Sequence, residues 1–142
     1  MAQNLILLPV FAQVFLTLVV FVVLLIRRGR HLTATGKTPD DVKLATDSDW
    51  SQQATAASRC LTNQFEVPVL FFAVAAFVLI TRNVDLTMFI LAWVFIAARV
   101  VQIVTHLSLG PTVVRGLSFM VGLTAVLAMW VILAVRIIRA GF

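Results

Sequence analysis

Polar side chains suited to binding and polarising anions stand inside otherwise apolar sequence. The stretch "RCLTNQFEVPVLFF" carries Arg59, Asn63 and Glu66 at i, i+4 and i+7. At 100° per residue the three share one narrow helical stripe. The stretch "ARVVQIVTHL" repeats the device with Arg99, Gln102 and His106 at i, i+3 and i+7. Arg27 and Arg28 close the first apolar run, and Arg115 stands just inside the last one. Planar guanidinium forks grip carboxylates bidentately, an imidazole moves protons near neutral pH, and a lone carboxylate suits an amine or one of the arginines. Glu66 is the only glutamate in the chain. Such a set asks for an anionic ligand.

The elements that must position these residues are set by their solvent. The chain is 61% hydrophobic and 12% charged, with mean hydropathy +1.05, against roughly 25% charged residues in ordinary soluble domains. Four apolar segments, 5–26, 65–80, 86–107 and 113–138, account for most of it. The first has no charge over 22 positions, enough at about 1.5 Å per residue to cross a hydrocarbon core of about 30 Å. The reading is an all-α, integral-membrane four-helix bundle, one domain over residues 1–142. The helices are expected at about 5–27, 51–80, 86–107 and 112–139. The sequence "MAQN" before the first span has no Lys or Arg, so that span reads as a retained helix rather than a cleaved signal. A single cysteine, Cys60, excludes an intrachain disulfide and a multi-cysteine metal site, and no metal is expected.

The net charge of +5 does not point to nucleic acid, because the basic residues flank spans instead of covering a soluble face. Five of them (Arg27, Arg28, Arg30, Lys37 and Lys43) follow the first span, and three (Arg82, Arg136 and Arg139) fall at the opposite ends. The positive-inside rule then faces the long first loop to the cytoplasm. Bilayer headgroups are the expected partners of these charges. In that loop Asp47, Ser48 or Asp49 is expected to cap the second helix, with Trp50 at the interface.

The short "TRNVD" join makes the second and third helices antiparallel neighbours. Counting from it, Glu66 lies 14 residues before Ile80 and Arg99 lies 13 after Leu86. The two stripes are therefore expected to lie level: Glu66 paired with Arg99 at the deepest rung, Asn63 with Gln102 above, and Arg59 with His106 at the mouth, onto which Arg115 opens. Two readings of the Glu66–Arg99 pair stand side by side, a buried ion pair that fixes register and a functional one. For Asn63 and Gln102 the plain alternative is interhelical hydrogen bonding, and for Arg27 and Arg28 it is interfacial anchoring. The excess of positive charge around one mouth is what asks for an anionic ligand.

"RCLTNQFEVP" resembles the second-helix signature of the membrane-associated proteins in eicosanoid and glutathione metabolism, the MAPEG family. "ARVVQIVTHLSLGPTVVRGLSF" is similar to that family's third- and fourth-helix arginine pattern, with a spacing like that of the microsomal prostaglandin E synthase branch. The resemblance implies a homotrimer binding glutathione at each protomer boundary near the cytoplasmic face. It implies that Arg59, Asn63, Glu66 and Arg99 bind the tripeptide, with Gln102 and His106 lining it. Arg27 would reach it from the neighbouring protomer, with Arg28 beside it, and Arg115 would stabilise the thiolate, with His106 a second catalytic candidate. The chain has no tyrosine, and His106 stands where catalytic members usually carry one. The implied activity is transfer to, or peroxide reduction of, a hydrophobic small molecule in a bacterial inner membrane or a eukaryotic endomembrane. A non-catalytic lipid-binding relative and a four-span transporter using Glu66 are the competing readings.

Overall fold

The computed structural model describes residues 3–43 and 46–141. The chain is an all-α integral membrane protein: among the described residues there is no strand, and four helices are long and apolar enough to cross a bilayer. The first, α1, spans Leu7–Thr35 after a 3-10 turn at Gln3–Ile6. It runs on past Arg27, where the apolar run ends, because "RRGRHLTAT" contains no residue that must break a helix. It stops at Gly36, whose left-handed φ of 66° suits a residue without a Cβ.

The first loop folds into two 3-10 turns, Pro39–Val42 and Asp47–Asp49, closed by reciprocal boxes between Thr38 and Asp41 and between Thr46 and Asp49. The Thr46 amide and hydroxyl donate to Asp49 Oδ2 at 2.7 and 2.9 Å. They hold that carboxyl below the usual carboxylate range. The next helix, α2 (Gln52–Thr62), is capped by Ser51, whose Oγ accepts the Ala54 amide at 3.3 Å. The expected caps, Asp47, Ser48 and Asp49, build the preceding turn instead.

The second span is not one continuous helix. A 3-10 turn at Asn63–Phe65 and Glu66, at φ −97° and ψ −97°, separate α2 from α3 (Val67–Ile80). Pro68 is the sequence cause: it has no N–H to offer the Gln64 carbonyl, and its ring crowds that oxygen. After a tight turn, α4 spans Leu86–Leu107, capped by Asp85, whose Oδ1 accepts the Met88 amide at 2.9 Å. Pro111 then introduces α5, Thr112–Ala140.

The core joins α3, α4 and α5 around Phe71, Val74, Met88, Phe95, Val126 and Met129, with Phe71 and Phe95 stacked at 4.5 Å. Small residues bring α4 and α5 together: a Cβ on Gly122 would lie 3.5 Å from the Ala98 Cβ. Outward-facing Phe, Leu and Val side chains meet lipid. The two ends of this bundle differ. One, the loop end, carries the long connection and the starts of α2 and α5; the other, the turn end, carries the hairpin between α3 and α4.

Candidate functional site

At the loop end a cavity of about 320 Å³ is lined by Arg59, Thr62 and Asn63 from α2 and the turn after it, His106 from α4 and Arg115 from α5. Three elements separated in sequence converge because α2 stops at Thr62 while α4 continues to Leu107 and α5 starts at Thr112. His106 is buried at 7% exposure, and its Nδ1 has no hydrogen-bond partner among the described residues. Arg115 makes no ion pair among them. The cavity can therefore accept hydrogen bonds and negative charge from a guest.

Beneath it lie Arg99 and Gln102, 2% and 4% exposed. Arg99 Nη2 donates to the Asn63 carbonyl at 3.0 Å, its Nη1 donates to Gln102 Oε1, and its Nε has no partner among the described residues. Arg99 thus ties α4 to a carbonyl in the break of the second span. The expected Glu66–Arg99 ion pair does not form, and the Asn63–Gln102 rung closes only through the Arg99 guanidinium. The level count assumed an unbroken helix from 51 to 80. The 3-10 turn and the off-helical Glu66 rotate the stripe, so Glu66 turns outward and is exposed. Gln64 turns inward in its place, at 2% exposure.

Within the single chain the first-helix arginines already have partners. Arg27 donates to the Gln53 carbonyl at 3.0 Å and to the Leu107 carbonyl at 2.7 Å, fastening α1 to the start of α2 and the C-terminus of α4. A cation there also complements the α4 dipole. Arg28 lies over the Trp50 ring at 4.8 Å, with Ser58 Oγ at 3.4 Å. Arg59 pairs with Asp47 of the loop at 2.8 Å.

Sequence reasoning passed over Gln13 and Gln64. Gln13 is fully buried in α1 and donates to Gln64 Oε1 at 3.0 Å, while Gln64 donates to the Cys60 carbonyl at 3.2 Å. A glutamine inside an uncharged apolar run was the signal for the first. Thr62, and Asp47 as a partner of Arg59, gave no signal that periodicity could read.

Compared with known proteins, the chain matches the model of the MAPEG family over residues 6–135. No curated protein and no solved structure matches it.

Proposed function

The chain belongs to the MAPEG family, and from that premise we propose that it is a glutathione-dependent membrane transferase or peroxidase acting on lipophilic electrophiles. The observation that carries the reading is the loop-end cavity, where Arg59, Asn63, His106 and Arg115 converge. Glutathione offers two carboxylates, an amine and a thiol. The residues fit it: Arg59 already closes its fork on a carboxylate, Arg115 has no ion pair among the described residues, and His106 Nδ1 is a buried atom without a partner.

In this reading Arg59 and Asn63 hold the tripeptide. Arg115, at the start of α5, stabilises the thiolate with its charge and the helix dipole. A free thiol of this kind has a pKa of about 8.5, and each unit of lowering requires about 1.4 kcal/mol of thiolate stabilisation. His106 supplies a second polar contact near the sulfur. Arg99 and Gln102 act from beneath by holding the Asn63 segment in place.

A homotrimer completes the site. Glu66 faces outward from the middle of the second span without an ion pair. A carboxylate facing lipid there would cost about 2.5 to 3.5 kcal/mol on insertion scales. A second copy covering it would turn that cost into a contact with the tripeptide's amine. Arg27 is held by two carbonyls at 2.7 and 3.0 Å and Arg28 only by Trp50 and a long bond to Ser58, so Arg28 is the first-helix residue that exchanges its contacts more readily for one across the boundary. The loop end faces the cytoplasm, following its excess of basic residues.

One observation favours a different reading, a transporter with Glu66 as its coupling carboxylate: Glu66 is not locked to Arg99. Against this, Glu66 does not line the cavity. The test is to incubate purified protein with glutathione and a halogenated aromatic electrophile and to measure conjugate. Conjugation carries the proposal. Glutathione binding without turnover on any electrophile or peroxide would make the chain a non-catalytic relative, and absent binding with Glu66-dependent ion flux would make it a transporter.

A further inference from the structure

The described residues just before α2, 46–50, are fixed at several points. On one side Trp50 packs under Arg28 at 4.8 Å and beside His31 at 5.4 Å. At the other, the Asp47 carbonyl accepts the Thr55 hydroxyl at 3.0 Å, and the Thr46–Asp49 box stiffens the turn between. This arrangement delivers one carboxylate to Arg59. Asp47 Oδ2 accepts both Arg59 Nε, at 3.1 Å, and Arg59 Nη2, at 2.8 Å. Those two nitrogens form one of the edges by which a guanidinium grips a carboxylate, and Arg59 lines the cavity.

We infer that Asp47 is an internal competitor: its carboxylate occupies one edge of the Arg59 guanidinium until a ligand carboxylate displaces it, so it weakens the binding of a ligand that must make that exchange by the few-fold an exposed pair supplies. The inference rests on the reading that glutathione is the ligand, and it assigns one tripeptide carboxylate to Arg59. Exposure separates a gate from a strut. The Arg59 and Asp47 side chains are 67% and 58% exposed, and ion pairs so exposed are weak. A ligand that gains further contacts inside the cavity can displace such a pair, whereas a buried pair would be costly to open.

The experiment is glutathione binding by calorimetry to the full-length protein in detergent, comparing wild type with Asp47→Asn and Asp40→Asn. Asp40 is also in the loop but pairs with Lys43 at 3.0 Å, so its substitution makes the same charge change away from Arg59. Asp47→Asn is expected to tighten binding roughly two- to five-fold, the range an exposed ion pair can supply, with Asp40→Asn unchanged. In wild type, glutathione should also speed amide exchange at Asp49 and Trp50, whose amides donate to the Thr46 and Asp47 carbonyls at 3.0 and 3.4 Å. Weaker binding by Asp47→Asn would overturn the inference and make Asp47 a residue that positions Arg59. Equal tightening by both variants would reduce the effect to general charge and overturn it as well. If neither wild type nor Asp47→Asn binds glutathione, the functional reading falls and this inference with it; binding by Asp47→Asn alone would be its strongest support.

Discussion

The two ends of the bundle use similar residues to opposite effect. At the turn end Arg136 pairs with Asp85 and donates to the Asn83 carbonyl at 3.1 Å, and Asp85 caps α4 through its other oxygen. Each of these groups finds its partner within the same hairpin and the helix beside it. At the loop end Arg115 makes no ion pair among the described residues, and His106 Nδ1 and Arg99 Nε are buried without partners. Buried polar atoms are normally satisfied; two of the five exceptions among the described residues, His106 Nδ1 in the cavity lining and Arg99 Nε beneath it, fall at this site. At the turn end arginine and carboxylate close on each other; at the loop end Arg115 lines a cavity with no carboxylate paired to it among the described residues.

The contrast is broken most directly at Arg115. Arg115→Ala should leave glutathione affinity largely intact while turnover at neutral pH falls about 100-fold, the scale of removing one charge-stabilising donor. Activity should return as pH rises towards about 8.5, where the free thiol ionises unaided. A pH–rate profile of kcat checks this. Lost binding would make Arg115 a carboxylate clamp, and unchanged turnover would move thiol activation to His106.

Arg99 belongs to neither extreme, since it is buried and yet incompletely paired. Arg99→Leu leaves the Asn63 carbonyl and Gln102 Oε1 without their donor, a loss of about 1 to 3 kcal/mol. Double-mutant cycles in detergent should show coupling of about 0.5 kcal/mol or more with Gln102→Leu. Coupling with Glu66→Gln should be weaker, because no ion pair joins the two. Equal coupling to Glu66 would mean that the stripe is not rotated by the break.

At the turn end the effects should be on stability alone. Burial raises the Asp85 pKa, but the Met88 amide and Arg136 more than offset it, so the carboxyl lies below its usual value. A depressed carboxylate stabilises the fold above its unfolded pKa of about 3.9, and that contribution disappears as pH falls through the lower folded value. With the pair partly exposed, Asp85→Asn should cost about 1 kcal/mol or less at pH 7. Asp85→Ala should cost more, because it also removes the cap. Thermal unfolding at pH 7 and pH 3 measures both; any change in glutathione binding would blur the distinction between the ends. The smallest effect is expected between them, at Gln13→Leu, about 0.6 kcal/mol for an interhelical hydrogen bond within a membrane.

The sequence by itself determined the solvent, the class and the family. Uncharged runs of bilayer length leave helices as the economical way to satisfy the backbone, and "RCLTNQFEVP" with the spaced arginines carried the MAPEG resemblance that the family match bears out. Periodicity could also mark Arg59, Asn63, Arg99, Gln102 and His106 as inward-facing candidates, because a helix repeats at a fixed angle. What it could not carry was that angle through Pro68. Where the backbone leaves the helix at Glu66, the phase is reset by three-dimensional packing. Only the tertiary structure decided that Gln64 turns inward to Gln13 while Glu66 turns out. Only it placed Arg99 under the Asn63 carbonyl and brought Asp47, from a loop without periodicity, to Arg59. Local sequence fixes which residues are polar and how far apart they lie along a helix; which of them meet is set by breaks and loops, whose geometry depends on partners distant in the chain.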